Sequence, residues 1–125
     1  MLKKAATAFT ALVAIEHIYI LVLEMFLWTK PRGLEAFGMT LEYAEQTAVL
    51  AANQGLYNGF LAAGLIWALL KKEEGHSIRV FFLSCIIVAG IFGAATAKMS
   101  ILYIQAVPAA IAMVLTLMAR RTSSD

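Results

Sequence analysis

The chain has 125 residues, of which 62% are hydrophobic and 14% charged, far more apolar than a soluble globular domain. The formal net charge is +2, and the basic residues stand at the ends of apolar segments rather than in one cluster, which argues against nucleic acid as a partner. The length fits a single domain, residues 1–125. The one cysteine, Cys85, excludes an intrachain disulfide and reads as a small core or lipid-facing residue.

The first apolar segment runs from about Ala5 to Trp28, longer than the roughly 20 residues a bilayer crossing needs. Lys3 and Lys4 precede it as in a signal peptide. The run is too long for an h-region, carries Glu16, His17 and Glu24, and is not closed by a small-residue cleavage site, so the expectation is a retained transmembrane helix. Trp28 supplies an interfacial aromatic residue, and Pro31 is expected to stop the helix. Thr29 to Gln46 is polar with scattered apolar residues, and its weak periodicity allows a short interfacial helix. A second segment spans about Thr47 to Leu70. The charged turn from Lys71 to Ser77 leads into a third, about Ile78 to Ala97, with Arg79 placed to snorkel. Lys98-Met99-Ser100 is a tight connection between antiparallel neighbours. The fourth segment runs from about Ile101 to Ala119, followed by Arg120, Arg121 and a polar tail. The chain shows no convincing internal repeat.

The expected fold is therefore all-α, an integral membrane four-helix bundle with both termini on one side. That side would carry Lys3, Lys4, Lys71, Lys72, Arg79, Arg120 and Arg121, against Lys30, Arg32 and Lys98 on the other. The imbalance predicts N-in, C-in, which in a bacterium means a multi-pass protein of the cell inner membrane.

Small residues recur at helical spacing: Gly55 with Gly59, Ala89 with Gly93 and Ala97, Gly90 with Ala94. Such spacing lets backbones approach closely. It fits packing of the second helix against the third, or the seam of a homodimer. Pro108 has no N–H to offer the carbonyl of Ile104, so a kink or a bound water is expected there.

The polar residues within the apolar segments carry the functional reading, since buried ionisable groups in membranes are costly and mark sites. Glu16, His17 and Glu24 share one broad face of the first helix, given about 100° per residue. Asn53, Gln54, Tyr57 and Asn58 share a face of the second, where lipid contact would leave them unsatisfied. Depth along the helices groups Glu16, His17, Tyr57 and Asn58 near the midplane. Glu24, Asn53, Gln54 and Gln105 fall nearer the outer face. Carboxyl and imidazole groups suit proton transfer, so Glu16, His17 and Glu24 are the candidate catalytic residues. Asn53, Gln54, Tyr57, Asn58 and Gln105 are the candidate ligand-binding residues. A network that only fixes helix register is the alternative. No Glu-x-x-His or His-Glu-x-x-His pattern supports a metal, and the residues leave any cofactor unknown.

Glu16-His17-Ile18-Tyr19-Ile20 with Leu23-Glu24-Met25-Phe26-Leu27-Trp28 resembles the first helix of a small bacterial and fungal membrane family catalogued as domain of unknown function 1304. Asn53-Gln54-Gly55-Leu56-Tyr57-Asn58-Gly59-Phe60 resembles that family's central motif. Gly90 to Thr96 and Gln105 to Ala109 resemble its later ones. The resemblance covers nearly the whole chain and implies a four-helix integral membrane protein; it implies no activity.

Two functions fit the residues. One is binding of a small hydrophobic molecule, lipid-, quinone- or isoprenoid-like, in a polar intramembrane pocket open to the outer leaflet. Glycines 55 and 59 would leave room there, and Glu24, or Glu16 with His17, would move a proton. The other is a proton-coupled transporter working as a homodimer, centred on Glu16 and similar in plan to the small multidrug-resistance transporters. A structural subunit of a larger complex would need no chemistry.

Overall fold

The computed structural model describes residues 1–71 and 73–121. Lys72, counted above with the basic side, and the polar tail after Arg121 lie outside the described residues. The described chain holds five α-helices: α1 Leu2–Phe26, α2 Pro31–Phe37, α3 Leu41–Leu70, α4 Gly75–Thr96 and α5 Val107–Arg121, the last preceded by a π-helical turn, Leu102–Ala106. No strand occurs among these residues.

The expected boundaries move for local reasons. α1 begins at Leu2 and ends at Phe26, and Pro31 opens α2 instead of closing α1. A proline at the first helical position loses no intrahelical bond, and its fixed φ suits the helix. α2 ends at Gly38, whose left-handed conformation (φ 62°, ψ 43°) lets the N–H of Met39 return to the carbonyl of Leu34, a Schellman-type stop. α3 then starts six residues before the expected Thr47, because Thr40 caps it: the Tyr43 N–H donates to Thr40 Oγ1 at 3.3 Å. The kink expected at Pro108 takes a specific form. The chain widens into the π-helical turn just before the proline, and Val107 N–H reaches back five residues to Leu102 O. A widened turn accommodates the missing donor and the ring's bulk.

By their internal contacts the residues form two compact units, 15–62 and 1–14 with 63–125. In the first, the second half of α1 and the first two-thirds of α3 run antiparallel. Gly55 faces Leu21, Glu24 and Met25, and Gly59 faces Leu21. Beyond the end of α1, Trp28 Nε1 donates to Thr47 Oγ1 at 3.1 Å and its ring packs on Phe37 of α2, centroids 4.7 Å apart. Arg32 of α2 reaches back to the Tyr19 hydroxyl at 2.8 Å.

In the second unit, Gly64 of α3 packs on the Phe82 ring of α4. Gly90 and Gly93 of α4 meet Ala106 and Ile101 of the final segment. The glycine pairs are thus seams within the chain, and the partners differ from those expected: Gly55 and Gly59 lie against α1, not α4. Small residues fill much of the core, alongside Leu23, Leu65, Leu83 and Ile86. Ala106, Ala109, Ala112, Thr116 and Ala119 make the buried stripe of the last helix, and Ala6, Thr10 and Val13 that of α1. Many large apolar residues point outward, such as Phe81, Val88 and Phe92 on α4, which buries Leu83 and Ile86 on its other side. Small residues inside and large apolar residues outside is the arrangement that suits helices packed in lipid.

Three helical stretches are long and apolar enough to cross a membrane: Leu2–Phe26, Gly75–Thr96 and Leu102–Arg120. The fourth expected crossing, α3, has the length at 30 residues. Asn53, Gln54, Tyr57 and Asn58 hold its hydropathy down.

Candidate functional site

Of the residues expected to form a polar interior, two meet across a helix contact. Asn58 Nδ2 of α3 donates to Glu24 Oε2 of α1 at 2.9 Å and also to the Gln54 carbonyl at 3.1 Å. Both side chains are half-buried. Glycine makes this bond possible. At Gly55 the α3 backbone lies so close to α1 that an added Cβ would stand 3.0 Å from Glu24 Cβ and 3.2 Å from the Leu21 carbonyl oxygen. With the helices this close and antiparallel, Glu24 leans toward the N-terminus of α1, as helical side chains do, and so toward the later residues of α3. That tilt pairs it with Asn58, whereas depth along the segments had grouped it with Asn53.

The other expected residues are distributed differently. His17 is 1% exposed, one of the largest fully buried side chains, and Glu16 beside it is half-buried. The inward placement of the whole α3 face does not hold: Asn53, Gln54 and Tyr57 are exposed on the single chain, Tyr57 by 53%. Asn53 meets its hydrogen-bonding need within its own helix by donating to the Val49 carbonyl at 2.8 Å, the back-bonding open to short polar side chains in helices. Tyr57 packs its ring on Phe60 at 6.1 Å between centroids. Gln105 is half-buried in the π-helical turn of the other unit. The room expected beside Gly55 and Gly59 is occupied, since Met25, Glu24 and Leu21 fill the space against the two glycines. The candidate site is therefore the Glu24–Asn58 pair with the open α3 face of Asn53, Gln54 and Tyr57 beside it. It combines a carboxyl group, amide donors and acceptors, and a phenol, able to bind a polar head and to exchange a proton with it.

One cluster escaped the sequence reading. Lys3, Lys71, His76, Arg79 and Arg120 line one cleft, although they stand far apart in the chain. The signal was present in the expected topology, which puts all five at the same end of the helices.

The all-helical architecture, the small-residue core, the outward large apolar residues and three helices able to cross a membrane define a helical membrane protein with polar groups set among its apolar helices. The family described as "Protein of unknown function (DUF1304)" matches residues 11–117, and the chain belongs to that family. It is 33% identical to the uncharacterized protein YpaA of Lactococcus lactis subsp. lactis (strain IL1403) over 105 residues, 82% of this chain and 88% of that protein. No solved structure shows significant similarity.

Proposed function

We propose that the protein is a multi-pass membrane protein in which α3 crosses together with the three more apolar helical stretches, both termini are cytoplasmic, and the Glu24–Asn58 site binds the polar end of a small hydrophobic molecule. Four crossings are supported by the shared cleft at one end. Lys3 near the start of α1, Lys71 just after α3 and Arg120 near the end of α5 all line it. Both termini of the helical region and the α3–α4 turn therefore meet at that end, as an even number of crossings requires. At 30 residues, α3 is about 45 Å long, more than the hydrocarbon thickness. The excess of basic residues at the same end supports its cytoplasmic placement.

The observation that carries the ligand reading is the 2.9 Å bond between Asn58 and Glu24, half-buried yet beside an exposed polar strip. A lipid-like molecule reaching this face from the bilayer would set its head against the pair and its tail along exposed Tyr57 and Phe60. Glu24 is the group that would move a proton.

Co-purification tests this reading. Wild type, Glu24→Gln, Asn58→Ala and Glu16→Gln are extracted in mild detergent, and their bound lipids are identified by mass spectrometry. One compound should be retained by wild type and Glu16→Gln and lost from the other two. Failure of wild type to retain any compound would overturn the reading.

A second reading, the proton-coupled transporter working as a homodimer, is favoured by the exposure of Asn53, Gln54 and Tyr57. In lipid these groups need a cover, and a second copy would supply one. Proton release on addition of a transported cation, lost in Glu16→Gln, would support it.

A further inference from the structure

At one end of the unit formed by residues 1–14 and 63–125, the cleft lined by Lys3, Lys71, His76, Arg79 and Arg120 has a volume of about 440 Å³. Four of these side chains are cations at neutral pH and the fifth is an imidazole. One carboxylate, Glu73, lines the same cleft. Lys71 reaches Glu74 at 3.9 Å, but both side chains are largely exposed, so the pair offsets little of the charge. Among the lining residues, basic side chains therefore outnumber carboxylates.

Two further features favour an anion here over scattered surface charge. Arg79 Nε is shielded from water and has no hydrogen-bond partner among the described residues. A buried guanidinium N–H without an acceptor is costly and rare, and a small turn of the half-buried Arg79 side chain, which lines the cleft, would bring it to an acceptor there. The start of α4 also lines the cleft through Gly75, His76 and Ser77. The N-cap residue, Glu74, makes no side-chain capping bond and turns toward Lys71 instead, and the first turn of the helix holds no acidic residue. Its first N–H groups lack intrahelical acceptors, and the positive end of the helix dipole favours an anion.

We infer that this cleft is a binding site for a phosphate group, presented by an anionic lipid headgroup or by a soluble phosphate. A tetrahedral anion with several acceptor oxygens matches a guanidinium fork, ammonium groups and helix N–H donors together. The volume holds a glycerophosphate-sized group, larger than a bare ion. The site is independent of the Glu24–Asn58 pair, which lies in the other unit.

The test uses the full chain, delipidated in a zwitterionic detergent. Native mass spectrometry follows binding of phosphatidylglycerol and of phosphatidylcholine, and calorimetry follows inorganic phosphate. The headgroup source predicts one phosphatidylglycerol per chain, preferred about tenfold over phosphatidylcholine. Affinity should fall about fivefold in each of Lys3→Gln and Arg79→Gln, the size of one lost charge near a lipid surface. Arg79→Lys should recover part of the loss. Lys98→Gln and Arg32→Gln, which do not line the cleft, should bind as wild type does. Saturable inorganic phosphate binding that falls in the same cleft variants, without a headgroup preference, would assign the site to a soluble phosphate. Should Arg79→Gln lose its helical circular dichroism, Lys3→Gln at the exposed start of α1 decides alone. Absence of both kinds of binding, or equal losses in the cleft and control variants, would overturn the proposal.

Discussion

Substituting alanine at Gly55 and, separately, at Gly59 tests whether the α1–α3 seam holds the site together. At Gly55 a new Cβ would lie 2.6 Å from Met25 Cγ, 3.0 Å from Glu24 Cβ and 3.2 Å from the Leu21 carbonyl oxygen. Met25 can rotate away. Glu24 Cβ and the Leu21 carbonyl are fixed to the α1 backbone, so the helix itself has to move. Overpacking of this kind costs about 1–3 kcal/mol, and alanine returns about 1 kcal/mol through its higher helix propensity. The expected net loss is about 1 kcal/mol, roughly a fivefold change in the unfolding equilibrium. The same displacement stretches the Asn58–Glu24 bond, so retained ligand should fall as well. At Gly59 the new Cβ meets only Leu21, with Cδ1 at 2.6 Å and Cγ at 3.9 Å. Cδ1 is the free end of a side chain with another rotamer available, so Gly59→Ala should be neutral or stabilising by a few tenths of a kcal/mol, about the residue of the propensity gain. Titration with sodium dodecyl sulfate in mixed micelles, read by circular dichroism, measures the difference. Equal stability of the two variants, or a more stable Gly55→Ala, would refute the close-approach reasoning.

Trp28→Phe should cost about 1 kcal/mol by removing the Nε1 bond to Thr47 while keeping the ring on Phe37; a double-mutant cycle with Thr47→Val should show coupling. Gly90→Ala should be the more damaging of the α4 substitutions, by about 2 kcal/mol. Its Cβ would lie 2.8 Å from the Ala106 backbone nitrogen, whereas the atoms nearest a Cβ at Gly93 belong to the Ile101 side chain, Cγ2 at 2.9 Å; the same micelle titration ranks the two. In a Cys85→Ala background, an impermeant thiol reagent applied to intact cells should label cysteine at Glu35 and leave cysteine at Glu73 unlabelled; the reverse pattern would invert the proposed topology.

The number and order of the long helices were legible because apolar runs, aromatic ends and charged turns repeat along the chain. Their ends were not. Pro31 can close one helix or open the next, and the choice depends on whether residue 30 is extended, as Lys30 is at ψ 160°. The start of α3 at Leu41 depended on the Thr40 cap, which is easily passed over where the surrounding residues are polar. Pro108 signalled a disturbance in the last helical segment. Its resolution as a π-helical turn sits where Ala106 packs against Gly90 of α4, a contact the sequence does not display.

Site residues were legible as residue types and not as a geometry. Counting turns put Glu16, His17 and Glu24 on one face of α1 and Asn53, Gln54, Tyr57 and Asn58 on one face of α3, but depth alone grouped Glu24 with Asn53 and Gln54 rather than with Asn58. The missing information was the separation of the two backbones. Glycine reads equally well as empty space for a ligand or as a place where another chain segment fits, and at Gly55 the fit of Leu21, Glu24 and Met25 decides for the second. Once the helices are that close, the tilt of a helical side chain selects Asn58. Asn53 and Tyr57 then cannot turn inward with it, because they stand about 140° and 100° around the helix from Asn58. A helix that commits one edge of its polar face to its neighbour leaves the other edge facing outward. In lipid that edge has to be met by a ligand head, by water or by a second copy of the chain, and this requirement ties the proposed function to the fold.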